Sequence, residues 1–282
     1  MEIKDLTGFE KPLTKLIEVV AEGIGIVYSD TVGVNAEVRR RERLAEVEQR
    51  IELMQIDTKL EAANRIRQRL ITQEIRRQEN IDQTVKEAAE FLPASVSDTK
   101  PDPDWITAFF NIAQDISSEE MRTLWAKILA GEVTQPGTYC RRTLEILKNL
   151  SPSEAKNFQR LHGFIFGHYV VFKLGNESNS LSAYGVHHAD WKMMHEAQLV
   201  TSAEDLRFTI SGGPSPWFTI GNRKIRFQSE SSSPVEVQIK QLTDVGVELS
   251  HLITGAVANE DYLRAIQDYY KKKSINVTIE NS

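Results

Sequence analysis

The chain has 282 residues, 40% of them apolar and 26% charged, enough for one large or two modest domains with a buried core. A formal charge of −6 and a pI near 5.6 argue against a general polyanion binder. The single cysteine, Cys140, excludes an intrachain disulfide and a cysteine-based zinc site, and suits a reducing cytoplasm.

No basic region followed by an uninterrupted apolar run opens the chain, so no secretory signal is expected. Leu13, Leu16, Ile17, Val20 and Ile24 follow helical spacing, which predicts an amphipathic helix within residues 1–34. Lys15, Glu18 and Glu22 interrupt its apolar run, so it is too short to span a bilayer. Its polar face is mixed in sign, so docking on protein is favoured over a membrane-surface role for residues 12–28.

Residues 35–92 read as a long charged helix or helical hairpin, because 35–90 contain neither proline nor glycine. Leu44, Val47, Ile51 and Met54 form one apolar stripe, and Ile71, Ile75, Val85, Ala88 and Leu92 a looser second one. The register breaks between Asp57 and Arg69, consistent with a bend or a change of partner. Arg39, Arg40, Arg41 and Arg43 are interleaved with Glu37, Glu42 and Glu46, so a solvated face is favoured over a phosphate contact. A narrow apolar stripe on a charged helix needs a partner, and self-association through Leu44, Val47, Ile51, Met54, Ile71, Ile75 and Val85 is the expected solution.

Residues 93–103 form a proline-containing linker. A helical bundle is predicted over 104–166. Asp104 is read as the cap of a helix carrying Trp105, Ile106, Phe109 and Phe110, and Ser117 with Glu120 as a capping box for the next, which Gly131 closes. Pro136-Gly137 marks a turn, a helix follows through Leu144 and Leu147, and Ser151-Pro152-Ser153-Glu154 opens another. Cys140, at a helix start beside Arg141 and Arg142, is read as packing rather than as a nucleophile.

Residues 167–255 change character. A helix over 189–199 precedes strands at 206–210, 217–220, 224–228 and 235–239, and a helix capped by Thr243 follows. This order resembles a winged-helix module, in which Arg223, Lys224 and Arg226 would be the nucleic-acid contacts. The helix that would enter a groove carries mainly Trp, Met and His, so a protein-contact role is favoured over DNA binding. A last helix over 262–270 leads to a tail that could form an edge strand or fray. The expected fold class is therefore mainly α with a smaller α+β part.

His187, His188, Asp190 and His195 cluster in sequence, but their spacing does not place two ligands on adjacent turns of one helix face. Phosphate loops, nucleophile elbows and dinucleotide fingerprints are also missing from the sequence, so no catalytic residue, metal or cofactor is implied and the chain does not read as an enzyme.

The segments DPDWITAFF, LWAKILAGE and PGTYCRRTLEILKNLS resemble a bacterial family of unknown function related to the abortive-infection alpha proteins, most strongly over residues 101–165. The resemblance implies a context of defence against phage and brings no catalytic residues with it. Together with the long charged helix, it leads to the expectation of a cytoplasmic, homo-oligomeric interaction protein whose partner comes from phage or a neighbouring gene. A DNA-binding regulator and a membrane-acting effector are the alternatives.

Overall fold

The computed structural model describes residues 10–24, 60–175, 180–202, 206–211, 213–230 and 234–282. Leu44, Val47, Ile51 and Met54 lie outside them. The chain is mainly helical with small antiparallel sheets and divides into two compact units, Met1–Leu144 and Glu145–Ser282.

The first unit contains α1 (Glu10–Ile24), α2 (Leu60–Glu90), α3 (Pro103–Ala113) and α4 (Glu119–Thr134), followed by α5 (Arg141–Asn149), which carries the division. α1 buries Leu16, Val19 and Val20 and packs on α3 and α4, so its apolar face is used within the unit. Gly23 sits so close to α3 that an added Cβ would lie 2.2 Å from the Phe110 ring. The glycine therefore serves close approach as well as weakening the helix end. No helix among the described residues is long and apolar enough to cross a membrane.

α2 is continuous from Leu60, so no bend occurs in the described part of the expected break. Its two halves differ. Gln78, Asn80, Ile81, Thr84, Val85 and Ala88 are buried as α2 packs along α4, whereas no side chain from 63 to 77 is buried. The Asn80 amide donates to the Gln114 carbonyl at 2.8 Å, and Glu87 receives Arg122 at 2.6 Å and the Thr123 hydroxyl at 3.0 Å. These bonds fix the register of the packed half.

Two expected caps move, one by two residues and the other by one. Asp102, rather than Asp104, caps α3 by accepting the Trp105 N–H at 2.9 Å, because Pro103 is preorganised for the first helical position. Ser118, rather than Ser117, caps α4 through the Met121 N–H, while Ser117 Oγ accepts from Asn80. Gly131 does not close α4, which runs on to Thr134. An added Cβ there would meet the Tyr139 ring at 2.7 Å, so Gly131 makes room for the returning chain. The Ser151 capping box forms as read, with Ser151 Oγ and the Glu154 carboxylate each bonded to the other's backbone N–H.

The second unit contains α6 (Pro152–Leu161), a short 3-10 turn at His162–Phe164, β1 (Val170–Phe172), α7 (His188–Glu196), β2 (Arg207–Ile210), β3 (Gly213–Pro214), β4 (Phe218–Ile220), β5 (Arg223–Ser229), β6 (Val235–Gln241), α8 (Asp244–Ser250), α9 (Glu260–Lys271) and β7 (Ile275–Asn281). β1, β6 and β2 make one antiparallel sheet with β6 central. β5 is the centre of another, with β3 and β4 along one edge and β7 along the other. The tail is therefore an ordered strand, paired with β5 from Ile275 opposite Ser229 to Asn281 opposite Arg223. A helix, a hairpin and a return helix are present as α7, β4–β5 and α8, but β5 is also paired along its length with β7 and β6 belongs to the other sheet.

Aromatic rings fill this unit. Phe172 is fully buried against Phe166, Phe208 and Phe227 at centroid distances of 5.0, 5.6 and 4.6 Å. The buried hydroxyls of Tyr262 and Tyr270 donate to the carbonyls of Phe172 and Lys173 at 2.6 and 3.0 Å, tying α9 to the end of β1. Burial pushes both phenols well above their ordinary pKa.

Candidate functional sites

The motif-rich stretch of the first unit gathers around one cleft of about 690 Å³. Pro101, Asp102 and Trp105 come from the entrance to α3, Glu132 from α4, and Tyr139 and Cys140 from the turn that leads to α5. Glu132 is 2% exposed, and its carboxylate accepts the N–H groups of Gly137 and Tyr139 at 2.6 and 3.0 Å. It thereby closes the turn in which Gly137 adopts φ +87°. Arg141 pairs with Asp104 at 3.5 Å, and the exposed Cys140 sits 3.3 Å from the Thr143 hydroxyl at the start of α5. The expected packing role of Cys140 gives way to an exposed position at the helix start. Asp102 and Glu132 thus hold backbone N–H groups, and Asp104 faces a neighbouring cation.

A second arrangement lies in the other unit and was not singled out from the sequence. His168 stacks on His251 with centroids 4.3 Å apart and lies 5.6 Å from His162. His162 and His168 line a cleft of about 370 Å³ with Thr219, Asn222 and Ile253. The buried Ser250 hydroxyl donates to the Val247 carbonyl at 2.7 Å and lies 3.1 Å from Nδ1 of His168. His168 also has φ +68°, a left-handed backbone that costs energy for a residue with a Cβ. His162 is 5% exposed, and neither ring nitrogen reaches a partner at hydrogen-bonding geometry.

Burial lowers the pKa of His162 first, opposed by the nearby Ser250 carbonyl and reinforced by His251. Burial is also the main cause for His168, followed by the charges of His251 and His162. In the unfolded chain these imidazoles titrate near 6.5, while the folded unit keeps them neutral to lower pH. The unfolded state then binds more protons below about pH 6.5, so stability falls with pH through that window until the folded imidazoles protonate. Urea midpoints from pH 7.5 to 5 should decline in the wild type, and a shallower decline is expected in His162→Phe. Equal slopes in the two proteins would refute the assignment.

Arg223, Lys224 and Arg226, the residues expected to contact nucleic acid, all lie on β5. Arg223 bonds Glu260 at 2.7 Å and also reaches Asn281, and the Arg226 guanidinium lies 4.7 Å from the Trp217 ring centroid. Lys224 is exposed but faces Glu280 in the cross-strand register. Two of the three thus also make contacts within the unit. In α7, Trp191 and Met194 are buried, and Asp190 receives both Arg160 and the His187 N–H. Among the described residues no three His, Cys, Asp or Glu side chains form a metal-ligating group.

Of the described self-association residues, Ile71 and Ile75 are half-buried on the first half of α2, whereas Val85 is 2% exposed and packed inside the unit. Val85 therefore leaves the stripe available to a partner.

Residues 64–170 match a family described as a protein of unknown function (DUF2806). No curated protein and no solved structure matches the chain.

Proposed function

We propose that the chain is a non-enzymatic interaction protein that self-associates through residues 35–92 and acts in bacterial defence against phage. The observation that carries the assembly reading is the division of α2. Its second half is held by buried contacts, but 63–77 present Ile66, Leu70, Ile71 and Ile75 with no buried side chain among them. At 1.5 Å per residue a helix of 31 residues is about 46 Å long, and its half-buried first part gains most from an apolar partner. A second copy is the simplest supplier of a matching stripe. The defence context rests on the resemblance over residues 101–165.

Light scattering of the full chain should show a mass that rises with concentration, and Ile71→Asp with Ile75→Asp should return it to a monomer while circular dichroism stays unchanged. A wild-type monomer at every concentration would sink the assembly reading. Phage challenge of cells carrying the gene, alone and with its neighbours, tests the defence reading separately.

A further inference from the structure

Residues 251–259, which join α8 to α9, run as a strap along the cleft that His162 and His168 line. Two glycines set its course. An added Cβ on Gly163, in the 3-10 turn, would lie 2.7 Å from the Val257 carbonyl oxygen, and one on Gly221, between β4 and β5, would lie 2.5 Å from the Ala258 nitrogen. Two hydrogen bonds hold the strap in this slot. The Ala258 N–H donates to Asn222 Oδ1 at 3.1 Å, and the Asn259 N–H donates to the Gly163 carbonyl at 3.1 Å. Ile253, Gly255 and Ala256 of the strap line the cleft together with the histidines.

His162, next to Gly163, is the buried member of the cluster. Both of its ring nitrogens lack solvent contact and a hydrogen-bond partner, so the docked strap leaves an imidazolium there without solvation. The surroundings offer it no countercharge. His168 approaches from the start of β1 and His251 from the end of α8, and each repels it when charged. Residues 252–259 of the strap carry no ionisable side chain, and the cleft adds Thr219, Asn222 and Ser282. On α9, Glu260 is bonded to Arg223 at 2.7 Å and Asp261 pairs with Arg264 at 3.5 Å; on α6, Arg160 pairs with Asp190 at 2.5 Å. Among the described residues no carboxylate acts on His162 or His168.

We propose that the strap is an acid-operated latch: protonation of His162 releases residues 251–259 from Gly163 and Asn222 while both sheets stay folded. Lifting the strap admits water to the His162 ring and takes His251 away from His168, so one movement solvates the new charge and relieves the repulsion. The open state uncovers Leu252 and Ala258, which are 6% and 4% exposed when the strap is docked. Acid thereby converts a closed cleft into an apolar surface. An imidazole that recovers its ordinary pKa near 6.5 on opening favours the open state about 10-fold at pH 5.5 relative to pH 7.5.

Native-state hydrogen exchange of the full chain at pH 7.5 and 5.5, with each rate referred to the intrinsic rate at its pH, tests the latch. Protection of the Ala258 and Asn259 amides should fall about 10-fold more than that of Ile239, whose N–H is bonded to the Leu206 carbonyl at 3.0 Å in the other sheet. His162→Phe should remove most of this difference, and His188→Gln, exposed on α7, should keep it. An equal fall at Ile239, no fall at the strap, or the full effect in His162→Phe overturns the proposal. Should His162→Phe not fold, the titration of the His162 ring followed by NMR in the wild type takes its place. Its midpoint must coincide with that of strap exchange, and a separate midpoint overturns the latch.

Discussion

Phe172→Ala is expected to destabilise the chain by about 3–5 kcal/mol, read as a drop in the urea midpoint. The ring is fully buried and touches aromatic neighbours from both sheets, since Phe208 lies on β2 and Phe227 on β5. Its removal leaves a cavity that these stiff rings cannot fill by rotating. The same residue's carbonyl receives the Tyr262 hydroxyl at 2.6 Å, so any shift of β1 also strains a buried phenol with no water to replace the bond. Phe172→Leu should lose much less, because it keeps most of the volume. A loss below about 1 kcal/mol for the alanine variant would show that the two sheets do not share this core.

Glu132→Ala should cost on the order of 3 kcal/mol through a different mechanism. The carboxylate satisfies two backbone donors of one turn while 2% exposed, so truncation strands the Gly137 and Tyr139 N–H groups together. Glu132→Gln keeps one acceptor oxygen and should fall between wild type and alanine. Hydrogen exchange separates this from a general loss of packing. The amides of Gly137 and Tyr139 should lose protection in both variants, and unchanged protection at those two positions would contradict the capping role.

The capping signals were legible in the sequence because each is a local contest decided within four residues. Ser151 and Thr243 were read correctly, and the α3 and α4 caps were missed only by choosing the wrong member of Asp102/Asp104 and Ser117/Ser118. Gly131 was misread as a helix end because its reason lies in the Tyr139 ring, which sequence periodicity does not register. The histidine stack was invisible for a stronger reason. His162, His168 and His251 belong to a 3-10 turn, a left-handed turn and the end of α8, so only the folded chain brings them together. His187, His188 and His195 drew attention by proximity in sequence, yet His188 and His195 stay exposed on α7 and the His187 backbone caps through Asp190.

The pairing of β1 with β6 and of β5 with β7 has a consequence for how the polypeptide is made. Val170 must find Gln241, and Arg223 must find Asn281, before either sheet is complete. Such distant pairings carry a loop-closure cost, as does the docking of α1 on α3 and α4 in the first unit. During synthesis the helical half emerges first and can begin to pack while the ribosome still holds the strands that complete both sheets. Until Ile275–Asn281 is released, the long edge of β5 stays open, and this interval is when the nascent chain is most exposed to wrong strand partners.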